Sequence, residues 1–280
     1  MSSTINIRYG STDVELPTPQ WGYTVKIKYP ISLTRLDNGF WVKWDNGSNY
    51  DRRYLSCSWL LEKTDAEALV GILRDSAKGR GLMLTIKCGT ASGFYPFGPD
   101  KGDSGDFQVM VTGSVPDASR GHPGDLFQVS CNFIFVGSYP AYSIPAAQYE
   151  GNLTIGTVTN LRYPEGMHTQ MVVYRTPTNE TYNASGYSID RAATADNYES
   201  TMALDLLQSN MGRLIDYLSG VSGRANNIDV TPPNNAYLFG VENGATATYT
   251  CSWLDDELEI VHSNHDQFST SLSFGLISAA

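Results

Sequence analysis

At 280 residues and 30.7 kDa the chain suits one large domain or two of roughly 140 residues, and 41% hydrophobic against 17% charged residues is a folded composition, which excludes disorder for its bulk. A formal charge of −10 excludes a general DNA or RNA binder, whose affinity comes from cations that displace counterions at phosphates. The charge is lopsided: residues 1–150 hold 14 Lys and Arg against 15 Asp and Glu, whereas residues 151–280 hold five Arg, no Lys and 14 Asp and Glu.

The N-terminus, MSSTINIRYG, lacks a basic segment followed by an apolar stretch, and no apolar run reaches the roughly 18 residues that cross a bilayer. A soluble chain made in the cytoplasm, with no membrane partner, is expected. Apolar and polar residues then alternate, as in half-buried strands, over Thr24 to Tyr29, Phe40 to Trp44 and Tyr54 to Leu60. Asp37-Asn38-Gly39 and Asp45-Asn46-Gly47 are turn signals among them. Thr64-Asp65-Ala66-Glu67 is a capping-box pattern, in which hydroxyl and carboxylate satisfy orphan amides, and Ala66, Leu69, Val70 and Leu73 follow at helical spacing until Gly79 and Gly81. Further strands are expected over Leu82 to Cys88, Phe107 to Thr112 and Phe127 to Val136.

The segment Tyr139 to Gly156 holds Pro140 and Pro145 without periodicity and reads as a linker. Beyond it, strands are expected over Thr157 to Tyr163, Thr169 to Tyr174 and Tyr187 to Asp190. A second helix is expected from near Ser200, with Ala203, Leu206, Leu207, Met211, Leu214 and Leu218 on one stripe before Gly220 and Gly223. It reads as about two turns longer than the first. Strands over Ile228 to Thr231, Thr246 to Trp253, Glu257 to His262 and Phe268 to Ile277 complete the chain, with Asn243-Gly244 as a turn.

This order of elements hides a repeat. Gly124-Asp125-Leu126-Phe127-Gln128-Val129-Ser130-Cys131-Asn132-Phe133 aligns with His265-Asp266-Gln267-Phe268-Ser269-Thr270-Ser271-Leu272-Ser273-Phe274, matching Asp, Phe, Ser and Phe at an offset of 141. Phe94-Tyr95-Pro96-Phe97-Gly98 aligns with Ala236-Tyr237-Leu238-Phe239-Gly240 at an offset of 142. Each copy reads as strands, one helix, then strands. The predicted fold is α+β, mainly β: two tandem antiparallel β-sandwich or half-barrel domains, 1–145 and 146–280 with a linker over about 139–156, each with one flanking helix.

Chemistry is sparse. Cys57, Cys88, Cys131 and Cys251 are too far apart for a zinc ribbon or redox pair and read as reduced, buried strand residues. Gly102-Asp103-Ser104-Gly105 looks like the nucleophile motif of chymotrypsin-like proteases, but the base of that family lies upstream of its Ser, and His122, His168, His262 and His265 all lie downstream. A solvated turn is the better reading. The carboxylates of Asp100 to Asp106 lack EF-hand spacing, and His262-x-x-His265-Asp266 has no third His or Cys nearby. Asp255-Asp256-Glu257 with Glu259 invites comparison with a glycosidase pair, for which solvated hairpin charge is the plainer account. The sequons at Asn46, Asn152, Asn179 and Asn183 read as chance matches. No P-loop, dinucleotide fingerprint or nucleophile elbow is present. No catalytic, cofactor-binding or metal-ligating residue is assigned, and no enzyme activity or cofactor is expected. The 17 Tyr, 10 Phe and 5 Trp suit core and subunit contacts, or a carbohydrate platform.

The duplicated pattern resembles the tube domain of long-tailed bacteriophages, shared by tail tube, distal tail and baseplate hub proteins. The residues that carry the resemblance are the helix Thr64 to Arg74 after a strand ending at Leu61, the strand Leu82 to Lys87, the turn at Phe97-Gly98, the terminal strand Phe127 to Val136, and their second-half counterparts. The resemblance implies a virion protein of the phage tail, assembled in the host cytoplasm. Six such domains would ring a channel for DNA, as a pseudo-hexameric trimer of two-domain chains or a hexamer if only the N-terminal domain joins the ring. It implies partners in neighbouring tail tube, tape-measure or baseplate hub proteins, and no specific hold on the DNA that passes. On this reading the acidic second half predicts an acidic channel wall that repels phosphate. A carbohydrate-binding adhesin of the tail tip is the alternative, and a hydrolase built on Asp255 to Glu259 a third.

Overall fold

The computed structural model describes residues 4–29, 31–35, 41–45, 52–77, 83–113, 118–120, 125–164, 169–175, 180–182, 188–190, 196–222, 227–233, 236–240 and 248–279. Ten strands and a helix come first: β1 (Thr4–Tyr9), β2 (Thr12–Pro17), β3 (Thr24–Lys28), β4 (Ile31–Arg35), β5 (Trp41–Asp45), β6 (Arg52–Glu62), α1 (Lys63–Ala77), β7 (Leu84–Cys88), β8 (Gly105–Val111), β9 (Ser119–Arg120) and β10 (Leu126–Phe135). After residues 136–152, which carry no strand or helix, come β11 (Leu153–Ile155), β12 (Val158–Leu161), β13 (Thr169–Arg175), β14 (Glu180–Tyr182), β15 (Ser188–Asp190), β16 (Asp196–Leu207), α2 (Gln208–Ser222), β17 (Ile228–Thr231), β18 (Tyr249–Trp253), β19 (Glu257–Asn264) and β20 (Gln267–Ala279). The fold is α+β dominated by antiparallel β-sheet.

The pairings repeat as well as the order. In the first half β1 pairs with β2 and β7, β7 with β8, β10 with β8, β9 and β6, β6 with β3, and β4 with β5. In the second, β11 pairs with β12 and β17, β17 with β18, β20 with β18, β19 and β16, β16 with β13, and β14 with β15. Every first-half strand thus has a counterpart ten places on, with the same partners. One pairing has no such copy among the described residues: β19 joins β3, so the strands of both sets, apart from the separate hairpins β4–β5 and β14–β15, merge into one large sheet.

Alternation explains these strands. In β6 the side chains of Arg53, Leu55, Cys57, Trp59 and Leu61 face inward, while Ser56 and Glu62 face out. Each helix covers an inner face. From α1, Leu69, Val70, Ile72 and Leu73 are buried against β1, β2, β6, β8 and β10, and from α2, Met211, Leu214, Ile215 and Leu218 are buried against β12, β16 and β20. The buried apolar residues of both halves form one continuous core.

The second helix differs from expectation. Both helices span 15 residues, and the stretch from Ser200 to Leu207 is strand. Ser200, Met202, Leu204 and Leu206 are buried at period two, whereas Ala203, Leu206 and Leu207 only happen to fall at helical spacing. The helix also runs through Gly220 instead of stopping there. In the first half the helix follows β6 directly and begins at Lys63, one residue ahead of the capping pattern. Strands β1, β2 and β4, the short β9, β11 and β14, and β16 were not anticipated, and β11 takes the end of the expected linker. The turn residues Asp37, Asn38, Gly39, Asn46, Gly47, Asn243 and Gly244, the helix stops Gly79, Gly81 and Gly223, His122, His168, Asn179 and Asn183 fall outside the described residues.

Candidate functional site

The site that the fold builds is the junction between the halves. Strand β3 lies beside β19 in the register Lys28↔Glu257, Ile27↔Leu258, Lys26↔Glu259 and Val25↔Ile260. The inward residues Val25, Ile27, Leu258 and Ile260 are buried, and the outward ones are charged in complementary sets. Lys26 Nζ lies 3.0 Å from Glu257 and 2.9 Å from Glu259, and Lys28 Nζ 3.1 Å from Glu257. These bonds to Glu259 and Glu257 raise the Lys26 amine above its ordinary value. Such half-exposed pairs contribute little energy, on the order of 0–1 kcal/mol each, but they select the register.

Aromatic rings close one end of the junction. His262 of β19 is buried, stacks on Phe268 with centroids 4.5 Å apart, and meets the edge of Tyr23, 4.8 Å away. Trp21 sits 5.2 Å from the same ring and stays 57% exposed. Tyr95 meets the edge of Phe268 at 5.4 Å, and its N–H donates to the Tyr23 hydroxyl at 3.0 Å. Burial holds His262 below its ordinary imidazole value.

A second layer joins the turn after Tyr95 to α2. Arg53 donates through Nη1 and Nη2 to Asp100 at 2.6 and 2.7 Å, and through Nη1 to the Phe97 carbonyl at 2.6 Å, with both ionic side chains 0% exposed. Burial alone would raise the Asp100 carboxyl, but the charges of Arg53 and Lys101 overcome it and hold the group below the usual range. Gly98 has φ +106°, and an added Cβ there would lie 2.8 Å from Asp100 Oδ1 and 3.9 Å from Ile215 Cδ1. On the helix side, Gln208 Nε2 donates to the Pro99 carbonyl at 3.2 Å and to the Tyr142 hydroxyl at 2.9 Å, and Arg213 Nε donates to the Pro145 carbonyl. The segment expected as a linker is therefore stitched to α2. Between them is an open cavity of about 730 Å³ whose lining includes Lys101, Tyr139, Tyr142, Arg213, Asp216 and Tyr217.

The residues singled out in the sequence are scattered and engaged. Asp103 accepts from the Gly93 N–H and Asp100 is spent on Arg53, so that loop holds its own backbone together. His265 and Asp266 bond to each other in the exposed turn before β20, while His262 points into the core. Asp255 accepts from Trp253 Nε1 and the Ser273 N–H, and burial raises its carboxyl above the ordinary value. Glu257 and Glu259 face Lys26, so within the acidic run Asp255 is a structural lock and these two are junction charge. The four cysteines are buried and unbridged in β6, β7, β10 and β18, and burial pushes the Cys88 and Cys131 thiols up to about 12. Among the described residues no group of three His, Cys, Asp or Glu is placed to hold a metal, and no helix is long and apolar enough to cross a membrane.

The outward face of the joined sheet is rich in hydroxyls and amides: Ser56 and Ser58 on β6, Gln128, Ser130 and Asn132 on β10, and Ser269, Ser271 and Ser273 on β20. Of the second-half carboxylates whose side chains are described, Glu199, Asp205, Asp229, Glu257 and Glu259 stand at outward positions of the sheet, whereas Asp216 lies on α2 and Asp255, Asp256 and Asp266 lie in turns. Of these five, Glu257 and Glu259 are paired with Lys.

No family model matches the chain, and no curated protein sequence does.

Proposed function

We propose that the chain is a structural protein of a long-tailed phage tail, in the tube or distal tail, in which two tube-like domains per chain build a ring around a channel for DNA. Three chains would supply six domains. The observation that carries this reading is the β3–β19 junction. It is heterologous: one half offers its third strand, the other its ninth. The counterparts, β13 and β9, each pair with a single strand among the described residues, β16 and β10. A head-to-tail contact made once within the chain is thus available again between chains, and a heterologous contact with a constant rotation closes a ring. Pairing also removes the hazard of bare strand edges.

In such a ring the hydroxyl-rich face turns inward. Lys26 and Lys28 of this face are held by Glu257 and Glu259 and offer phosphate little grip, so DNA slides without specific contacts. No step of this function needs a catalytic group or cofactor. Native mass spectrometry and negative-stain images of the purified protein test the reading. The expected particle contains three chains of 30.7 kDa around an open centre. A monomer at every concentration, or a glycan-binding monomer using the tyrosine-lined cavity, overturns it.

A further inference from the structure

The two halves bury equivalent surfaces to different degrees. The cross-strand pairs Leu61↔Phe127 and Leu206↔Phe268 align β6 with β16, and each strand runs straight into its helix, so Lys63 corresponds to Gln208 and Glu67 to Gly212. On α2, Ser209, Asn210 and Gly212 are buried; on α1, Thr64, Asp65 and Glu67 at the same places are exposed. What covers α2 includes the first-half turn, since an added Cβ on Gly212 would lie 3.0 Å from the Pro99 carbonyl oxygen.

The turns show the reverse. Gly98 N–H donates to the Tyr95 carbonyl and Gly240 N–H to the Tyr237 carbonyl, with φ of +106° and +86°, so the two turns share one geometry. The first is buried from Pro96 to Asp100 beneath α2. In the second, Phe239 is buried in its own half, but Tyr237 is 48% exposed and Gly240 half-buried. Each half therefore has the surface that its counterpart uses within the chain, and among the described residues nothing buries either to the same degree.

We infer that the turn Tyr237–Gly240 of one copy docks on the outer face of α1 of the next copy, with Tyr237 against Phe127 as Tyr95 lies against Phe268. This names the surfaces of the ring proposed above and rests on that reading. The partner is a second copy of this chain because the fitting surface already exists, in the same fold, on the other half. Phe127 is half-buried and open to such a ring contact. The copy is not perfect: Glu67 stands where Gly212 admits the Pro99 carbonyl, so the turn seats less closely and the contact between chains is the weaker of the two. Ala68 and Gly71 flank it on the helix.

The test is a chain carrying Tyr237→Cys and Phe127→Cys, oxidised under native conditions. The four native cysteines are buried and do not compete. Covalent dimers and trimers on a denaturing gel are expected, and none from a control pairing Phe127→Cys with Tyr149→Cys, whose position is 70% exposed. Rings by native mass with no cross-link overturn this inference and leave the ring reading standing. Cross-linked open chains without closed rings support the inference and overturn the ring. Assembly of neither kind overturns both. As a second readout, Glu67→Ala, which keeps helix propensity high, is expected to lower the dissociation constant several-fold, and a weaker assembly counts against the docking face.

Discussion

Two buried ionisable side chains set how this protein answers acid. Arg53 and Asp100 are paired with both side chains fully buried, and a buried charge left alone is far costlier than the pair. Asp100→Asn should therefore cost about 3–5 kcal/mol in a urea denaturation at neutral pH. Because the native carboxyl titrates below the unfolded one, its contribution is complete above about pH 4 and is lost as pH falls through the native value. The variant should show a flatter acid limb. His262 acts higher on the scale. Its imidazole is buried beside Tyr23, Tyr95 and His265, its Nε2 meets the His265 carbonyl, and burial depresses its protonation. The unfolded imidazole binds protons first, so this stability is complete above about pH 6.5 and declines below it. His262→Phe keeps the stack on Phe268 and should remove the slope between about pH 6.5 and 5 in thermal melts, with no loss at pH 8. Neither residue was legible as such in the sequence. Arg53 occupies an inward position of an otherwise apolar alternation, and its partner is 47 residues away in a turn that reads as solvated.

At the scale of elements, the repeat was legible because Tyr-x-Phe-Gly and the terminal Asp-x-Phe strand recur at nearly constant offset, both tied to tight local geometry. The strand β16 was not, since a buried strand with Leu at alternate places also matches a helical stripe over a few residues. The junction was hidden by distance along the chain: Lys26 and Glu257 are 231 residues apart. Its trace was present, however, as Lys-x-Lys on one alternating strand and Glu-x-Glu on another. That complementarity gives a prediction. Lys26→Glu sets a third carboxylate beside Glu257 and Glu259 and should destabilise the fold by about 1 kcal/mol at low salt. Adding Glu259→Lys should restore most of it, and the coupling should shrink at high salt in a double-mutant cycle. Gly212→Val probes the other layer. A branched side chain crowds the Pro99 carbonyl and should cost about 1–3 kcal/mol, with the turn loosening from α2 in hydrogen exchange.

At the scale of the molecule, β13 and β9 are unlike sheet edges, each paired with one strand among the described residues, and the in-chain junction predicts which backbone groups would join them. His262 N–H donates to the Tyr23 carbonyl and Tyr29 N–H to the Asp256 carbonyl, so the odd-numbered residues of β3 point their amides at β19. Thr24 pairs with Ser56 and Gln170 with Thr201, which aligns Val25 with Met171 and Ile27 with Val173. By that equivalence the amide of Val173 faces the open edge of β13, away from β16. Proline there removes one donor from the edge and none from the β13–β16 ladder. Val173→Pro should leave circular dichroism unchanged and the melting temperature within a few degrees, while native mass shifts from the ring to the single chain. Proline at the neighbouring Val172, whose amide belongs to the inner ladder, should instead lower the melting temperature as well. If both variants assemble as the wild type does, β13 is not the edge through which copies join, and a ring of these chains must close through some other surface.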